Sequence, residues 1–196
     1  MKEQLATAIR KLVPCSEEQL EQFFLIAKPE VKHFKAKQFV LKEGEVCRHL
    51  NFVISGLMRY FYIVDGEEVT GQFFFENGWY ADLGSFLSEQ PSRQNIQTIE
   101  NSVLVQISKA NLYELYEKEP VFERFGRLLA EYSFLGIRGR YEKFSLLTPE
   151  EHYLKLITER PKVIERVPLK YIASFLGIKP ESLSRIRKRL FDERKS

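Results

Sequence analysis

The 196-residue sequence is poor in thiols and imidazoles. Cys15 and Cys47 are its two cysteines, which excludes an iron–sulfur cluster on four thiolates and argues against a disulfide framework. His33, His49 and His152 are well separated. They do not supply the clustered ligands of a metal-dependent β-barrel enzyme of the cupin kind, and isolated histidines serve packing or surface roles more often than haem ligation. No metal site is therefore expected. No apolar run approaches the roughly 20 residues of a membrane-spanning helix. Met1-Lys2-Glu3-Gln4-Leu5 leads into no apolar stretch of signal-peptide length, so a cytoplasmic protein without a membrane partner is expected. No nucleophile–base arrangement is evident, and a non-enzymatic role is expected.

What is present is a globular balance, 44% hydrophobic and 29% charged, with a small net charge of +3. That charge is unevenly spread. Residues 145–196 carry 12 Lys/Arg against 7 Asp/Glu, while residues 1–144 carry 18 against 20. A near-neutral body joined to a basic end directs attention to a nucleic-acid module at that end. A solvated charged surface fits the same numbers.

Along the chain, Ser16-Glu17-Glu18-Gln19 has the form of a capping box opening a helix whose apolar face is Leu20, Phe23, Phe24 and Ala27. Strand-like runs follow at Leu50 to Ile54, Leu57 to Val64, Val69 to Phe75 and Val103 to Ile107, rich in Val, Ile, Phe and Tyr. Turn residues separate them, and Asp65-Gly66 is a strong hairpin signal. A compact β-barrel or β-roll is expected over about residues 33 to 108. Phe73-Phe74-Phe75 reads as a buried strand.

Helical patterning returns at Lys109. Val121, Phe125, Leu128, Tyr132 and Leu135 then recur in steps of four, three, four and three, a coiled-coil seam expected to join two protomers along a helix of about 118–144. A helix packed on its own domain has the same spacing. Gly136 and Gly139 weaken its far end. Thr148-Pro149-Glu150-Glu151 caps a further helix ending near Arg160-Pro161 and marks the domain boundary.

The stretch from Val167 to Leu190 writes two short helices, each with Pro at its start, Pro168 and Pro180. Gly177 supplies the left-handed turn between them, and Ala173 permits a close crossing. Ile172, Leu176, Ile178, Leu183, Ile186 and Leu190 form the shared apolar seam, a helix-turn-helix pattern. The second helix exposes Glu181, Ser182, Ser184, Arg185, Lys188 and Arg189. Arg185 suits bidentate donation to guanine and Glu181 suits acceptance from cytosine N4. Lys170, Lys179, Ser182, Lys188 and Arg189 suit phosphates.

At these residues the sequence resembles the Crp/Fnr family of bacterial transcription regulators. Ile172-Ala173-Ser174-Phe175-Leu176-Gly177 and Glu181-Ser182-Leu183-Ser184-Arg185-Ile186 match that family's helix-turn-helix. The resemblance extends over most of the chain. It implies an α+β fold: a β-roll of the cyclic-nucleotide-binding type (double-stranded, jelly-roll-like) with N-terminal helices and a dimerisation helix over 1–144, then a DNA-binding domain over 145–196. It implies Glu181 and Arg185 as base readers, double-stranded DNA, a second copy of the chain and RNA polymerase as partners, and control by a small effector. Pro180 stands where the cyclic-AMP receptor protein, a member of the family, has a base-reading Arg, so a different operator is expected. Few residues follow the second helix, and the wing hairpin of longer members is not expected.

Ala81-Asp82-Leu83-Gly84-Ser85-Phe86 is similar to the family's phosphate cassette, Gly-Glu-Leu-Gly-x-Phe, with Arg93 following. The resemblance implies a cyclic nucleotide held by Asp82, Leu83, Gly84, Ser85 and Arg93: the guanidinium on the phosphate, the carboxylate on a ribose hydroxyl and backbone N–H groups on the oxygens. The cassette is degenerate. Asp82 is one methylene short, one residue is inserted before Arg93, and Gln94-Asn95 replaces Ser-Ala. No cofactor is assigned with certainty. The alternative to a DNA-binding regulator is a nucleotide-sensing or protein-interaction module without specific DNA binding.

Overall fold

The computed structural model describes residues 1–193; the last three residues of the expected second domain, Arg194–Ser196, lie outside it. The chain divides into two compact units, one of Met1–Tyr60 with Phe73–Phe134, the other of Phe61–Gln72 with residues from Leu135 onward. The expected boundary at 144/145 differs on two counts: the second unit takes the distal half of the long helix, and it takes the tip of a hairpin from the middle of the chain.

The first unit opens with α1 (Lys2–Arg10) and α2 (Glu17–Ala27). Ser16 Oγ accepts from the Gln19 amide at 3.1 Å, and Gln19 Oε1 accepts from the Ser16 amide at 3.0 Å, the reciprocal box that its sequence spells. Leu20, Phe23, Ile26 and Ala27 are buried, whereas Phe24 sits at the edge of that face.

Eight strands follow in two four-stranded antiparallel sheets. They are β1 (Glu30–Phe34), β2 (Phe39–Leu41), β3 (His49–Ser55), β4 (Met58–Val64), β5 (Glu67–Phe74), β6 (Trp79–Tyr80), β7 (Asn95–Thr98) and β8 (Ser102–Ser108), with α3 (Leu83–Ser88) between β6 and β7. One sheet runs β1-β8-β3-β6, the other β2-β7-β4-β5. In the first, β8 is central, pairing Val31 with Val105 on one side and Phe52 with Val105 on the other. The four strands read from the sequence all form. Met58, Arg59, Tyr60 and Phe61 are buried in succession, so β4 is covered on both faces at its start and shows no alternation there. At Asp65-Gly66 both φ angles are positive, +52° and +82°, as a two-residue turn between right-twisted strands demands.

After α4 (Lys109–Lys118) comes α5 (Pro120–Leu146), 27 residues without a break at Gly136 or Gly139. Its first turns are held in the core. The Phe122 ring meets Phe23 at 5.3 Å, and Phe125 meets Trp79 edge-on at 5.1 Å, Trp79 in turn lying 4.8 Å from Phe52. Two such rings bury enough area to anchor the helix by several kcal/mol, at roughly 25 cal/mol per Å².

The second unit contains α6 (Pro149–Glu159), α7 (Pro161–Arg166), α8 (Leu169–Phe175) and α9 (Pro180–Glu193). Thr148 and Glu151 form the expected capping box of α6. The short helix α7 starts at Pro161, where the sequence showed only an end. Pro168 precedes α8 as its cap and does not occupy its first turn.

Candidate nucleic-acid interface and ligand cradle

The turn between α8 and α9 depends on Gly177, whose φ is +69°. The amides of Leu176 and Ile178 donate back to Ile172 and Ala173 at 3.0 Å each, which closes α8. Ile172, Ala173 and Leu183 are fully buried, so the two helices cross on the seam that the sequence marks out. A Cβ on Gly177 would stand 3.2 Å from the Phe144 ring of α5.

With Leu183 inward, α9 turns Glu181, Ser184, Arg185 and Lys188 outward, at spacings of three, four and seven, onto one exposed stripe. Arg185 and Lys188 make no ion pair among the described residues, so both guanidinium and ammonium are available. The remaining candidates differ. Arg189 donates side-on to the Glu150 carboxylate of α6, from Nε at 3.1 Å and from Nη2. Ser184 Oγ donates to the Pro180 carbonyl at 3.0 Å. Lys170 lies with its Nζ 4.7 Å from the Tyr171 ring centroid. Ser182 is half-buried and Lys179 exposed. Arg187, also exposed on α9, escaped the sequence reading because it falls off the main stripe.

Beneath α8, His152 of α6 is buried, its ring 5.3 Å from Phe175. Burial holds its pKa below the ordinary histidine value, with Lys143 and Lys155 adding to the effect and Glu159 opposing it.

In the roll, Asp82 caps α3. Its carboxylate accepts from the Ser85 amide at 3.5 Å and from Ser92 Oγ at 2.6 Å. Ser85 Oγ donates to the Gln90 carbonyl at 2.6 Å and accepts from the Cys47 amide at 2.9 Å. Asp82, Ser85 and Ser92 are all buried, Leu83 is half-buried and Gly84 exposed. Arg93 is exposed. The cassette thus folds into one turn, but its carboxylate is committed to the loop and its arginine faces solvent. The guanidinium–carboxylate pair that a cyclic phosphate and ribose require is not assembled, and the residues as they stand do not fit a bound cyclic nucleotide. Ser92, which draws Asp82 inward, was missed because its role rests on a contact ten residues away. Arg59, fully buried on β4 with a guanidinium N–H donating to Gln97 Oε1 at 3.2 Å, carried no sequence signal beyond a cation in an apolar run.

Of the seam expected to join two protomers, Phe125 is fully buried within this single chain. Val121 and Leu128 are half-buried, and Tyr132 and Leu135 are exposed at 58% and 57%. Phe134, Ile137, Tyr141 and Phe144 are exposed too, at spacings of three, four and three.

A β-roll, a long helix and a helix-turn-helix in this order form a known architecture. The chain has the Crp/Fnr fold. Residues 31–119 match the cyclic nucleotide-binding domain family. The c-di-GMP-responsive global regulator CLP of Xanthomonas campestris superposes with a TM-score of 0.73 at 18% identity, over 91% of this chain and 93% of that one. FixK2 of Bradyrhizobium japonicum gives 0.71 at 14% identity, over 84% and 85%. A transcriptional regulator assigned to the crp/fnr family from Eubacterium rectale gives 0.70 at 16% identity, over 91% and 85%. No curated protein sequence matches the chain. Within the Crp/Fnr fold the roll is the cyclic-nucleotide-binding type and α8–α9 are the helix-turn-helix. No helix among the described residues is long and apolar enough to cross a membrane.

Proposed function

We propose that the chain is a sequence-specific, DNA-binding transcription regulator that acts as a homodimer. The observation that carries this is the α9 stripe: Arg185 and Lys188 stand outward without ion-pair partners among the described residues, beside Glu181, on a helix whose opposite side is locked by Leu183 and the Gly177 turn. Arg185 and Glu181 read base edges; Lys170, Lys179, Ser182 and Lys188 meet phosphates, and Arg189 does so after exchanging Glu150. The exposed Tyr132 and Leu135 of α5 pair with a second copy, which sets two recognition helices on successive major grooves. RNA polymerase and a cytoplasmic location accompany that role. Asp82, Leu83, Gly84, Ser85 and Arg93 are the effector residues of this reading, and a cyclic nucleotide there requires Arg93 to turn inward onto the phosphate and Ser92 to release Asp82 to a ribose hydroxyl.

Titration with a randomised duplex library at two salt concentrations tests it. Binding should weaken with log salt concentration by a slope of about −0.9 per phosphate contacted, while selection enriches a two-fold symmetric sequence. Salt-dependent binding with no enrichment would support instead a charged interaction module.

A further inference from the structure

The second unit contains a segment that a DNA reader does not need: residues 61–72, the tip of the β4–β5 hairpin. β5 is an edge strand of its sheet, so its outer carbonyls and amides lack a neighbouring strand. On that edge, Ser174 of α8 takes the neighbour's place. Its hydroxyl accepts from the Thr70 amide at 2.9 Å and donates to the Glu68 carbonyl at 2.6 Å. Four residues along β5 from Glu68, Gln72 Oε1 accepts from the Arg160 guanidinium. The tip holds Asp65, Glu67 and Glu68 and no Lys or Arg, and all three acidic residues are exposed.

The first helix of a helix-turn-helix crosses the phosphate backbone. Here that helix is clasped at Ser174 by a strand carrying the carboxylates of Glu67 and Glu68, with Asp65 in the turn before it, and Glu68 is the residue whose carbonyl Ser174 contacts. Glu67 and Glu68 stand beside and at the carbonyl that Ser174 holds at 2.6 Å, a sequence separation whose span is comparable with the Debye length of about 8 Å at physiological salt, over which carboxylates repel phosphate. We propose that the hairpin tip is a brake on DNA binding, latched to α8 through Ser174. Release of the latch frees α8 for the DNA backbone. Because β4 and β5 run on into the first unit, a change in the roll has a covalent route to the latch. The brake rests on the DNA-reading assignment above.

The test compares the full chain with Ser174→Ala, and with the double variant Asp65→Asn/Glu67→Gln, which leaves the latch intact and keeps a residue at position 65 that tolerates positive φ. Hydrogen exchange at the Thr70 amide reads the latch; binding to a randomised duplex library reads the brake. In Ser174→Ala the Thr70 amide should lose protection and DNA affinity should rise roughly tenfold, as loss of two hydrogen bonds shifts the latched fraction. In the double variant the Thr70 amide should stay protected and affinity should rise most at low salt. If Thr70 protection is unchanged in Ser174→Ala, the latch is refuted. If protection is lost and affinity stays level or falls while the wild type binds, the brake is refuted and the DNA-reading assignment stands. If neither protein binds any duplex, the DNA-reading assignment fails and the brake with it.

Discussion

Gly177→Ala probes the turn on which the reading helix depends. The backbone there has φ +69°, a region that costs an ordinary L-residue about 1–2 kcal/mol. The added methyl also arrives 3.2 Å from the Phe144 ring, a tight contact. Phe144 is exposed and able to yield by a few tenths of an ångström, so the steric part is small and the backbone part dominates. A total of about 1–2 kcal/mol follows, which for a unit of this size lowers Tm by roughly 4–16 °C. Differential scanning calorimetry separates the two units if they melt apart: the transition of the second should move and that of the roll should not. Gly177→Asn should cost less, because Asn enters the left-handed region more readily. A Gly177→Ala protein with an unchanged second transition would show that the turn does not constrain α9, and the placement of Arg185 would lose its basis.

If the proposed pairing along α5 holds, Leu135→Glu should convert a wild-type dimer to monomer in analytical ultracentrifugation with the fold intact; a monomeric wild type would overturn the pairing. Phe125→Ala should instead leave the oligomeric state alone and destabilise the roll by about 3–5 kcal/mol in a denaturant titration, since that ring packs on Trp79 inside one protomer. The depressed His152 pKa means that the folded second unit favours the neutral ring, so its contribution to stability is present above the unfolded value near 6.5 and is lost as pH falls through the lower folded value. His152→Phe should flatten that loss in thermal melts taken below pH 7. With Asp82 held by Ser92 and Arg93 in solvent, cyclic AMP should give no saturable heat in isothermal titration; tight binding would show that the cradle reopens.

The parts of the fold that were legible in the sequence are those encoded locally. Ser16/Gln19 and Thr148/Glu151 close their boxes within three residues, Asp65-Gly66 states its turn by residue type, and Leu183 with Gly177 fixes the crossing of α8 and α9. Phe125 was ambiguous for a physical reason: a step of three or four places a side chain on one face of α5 without saying whether that face meets its own roll or a second copy. Trp79 decides it, and Trp79 is distant in sequence. Tyr132 and Leu135 lie beyond the reach of that core and stay exposed. Short β6, β7, α3 and α7 left no periodic trace. The cradle shows the limit most clearly. Asp82 and Arg93 stand at a suggestive spacing, yet the hydroxyl of Ser92 decides where the carboxylate points, and Ser174's hold on Glu68 and Thr70 joins residues more than a hundred positions apart.

The central claim is that α9 reads base sequence. The most direct test is competition between a selected operator and random duplex DNA for wild type and Arg185→Ala. The expected result is a loss of discrimination by about 1–3 kcal/mol with binding to random DNA nearly preserved. Full discrimination in Arg185→Ala would contradict the account.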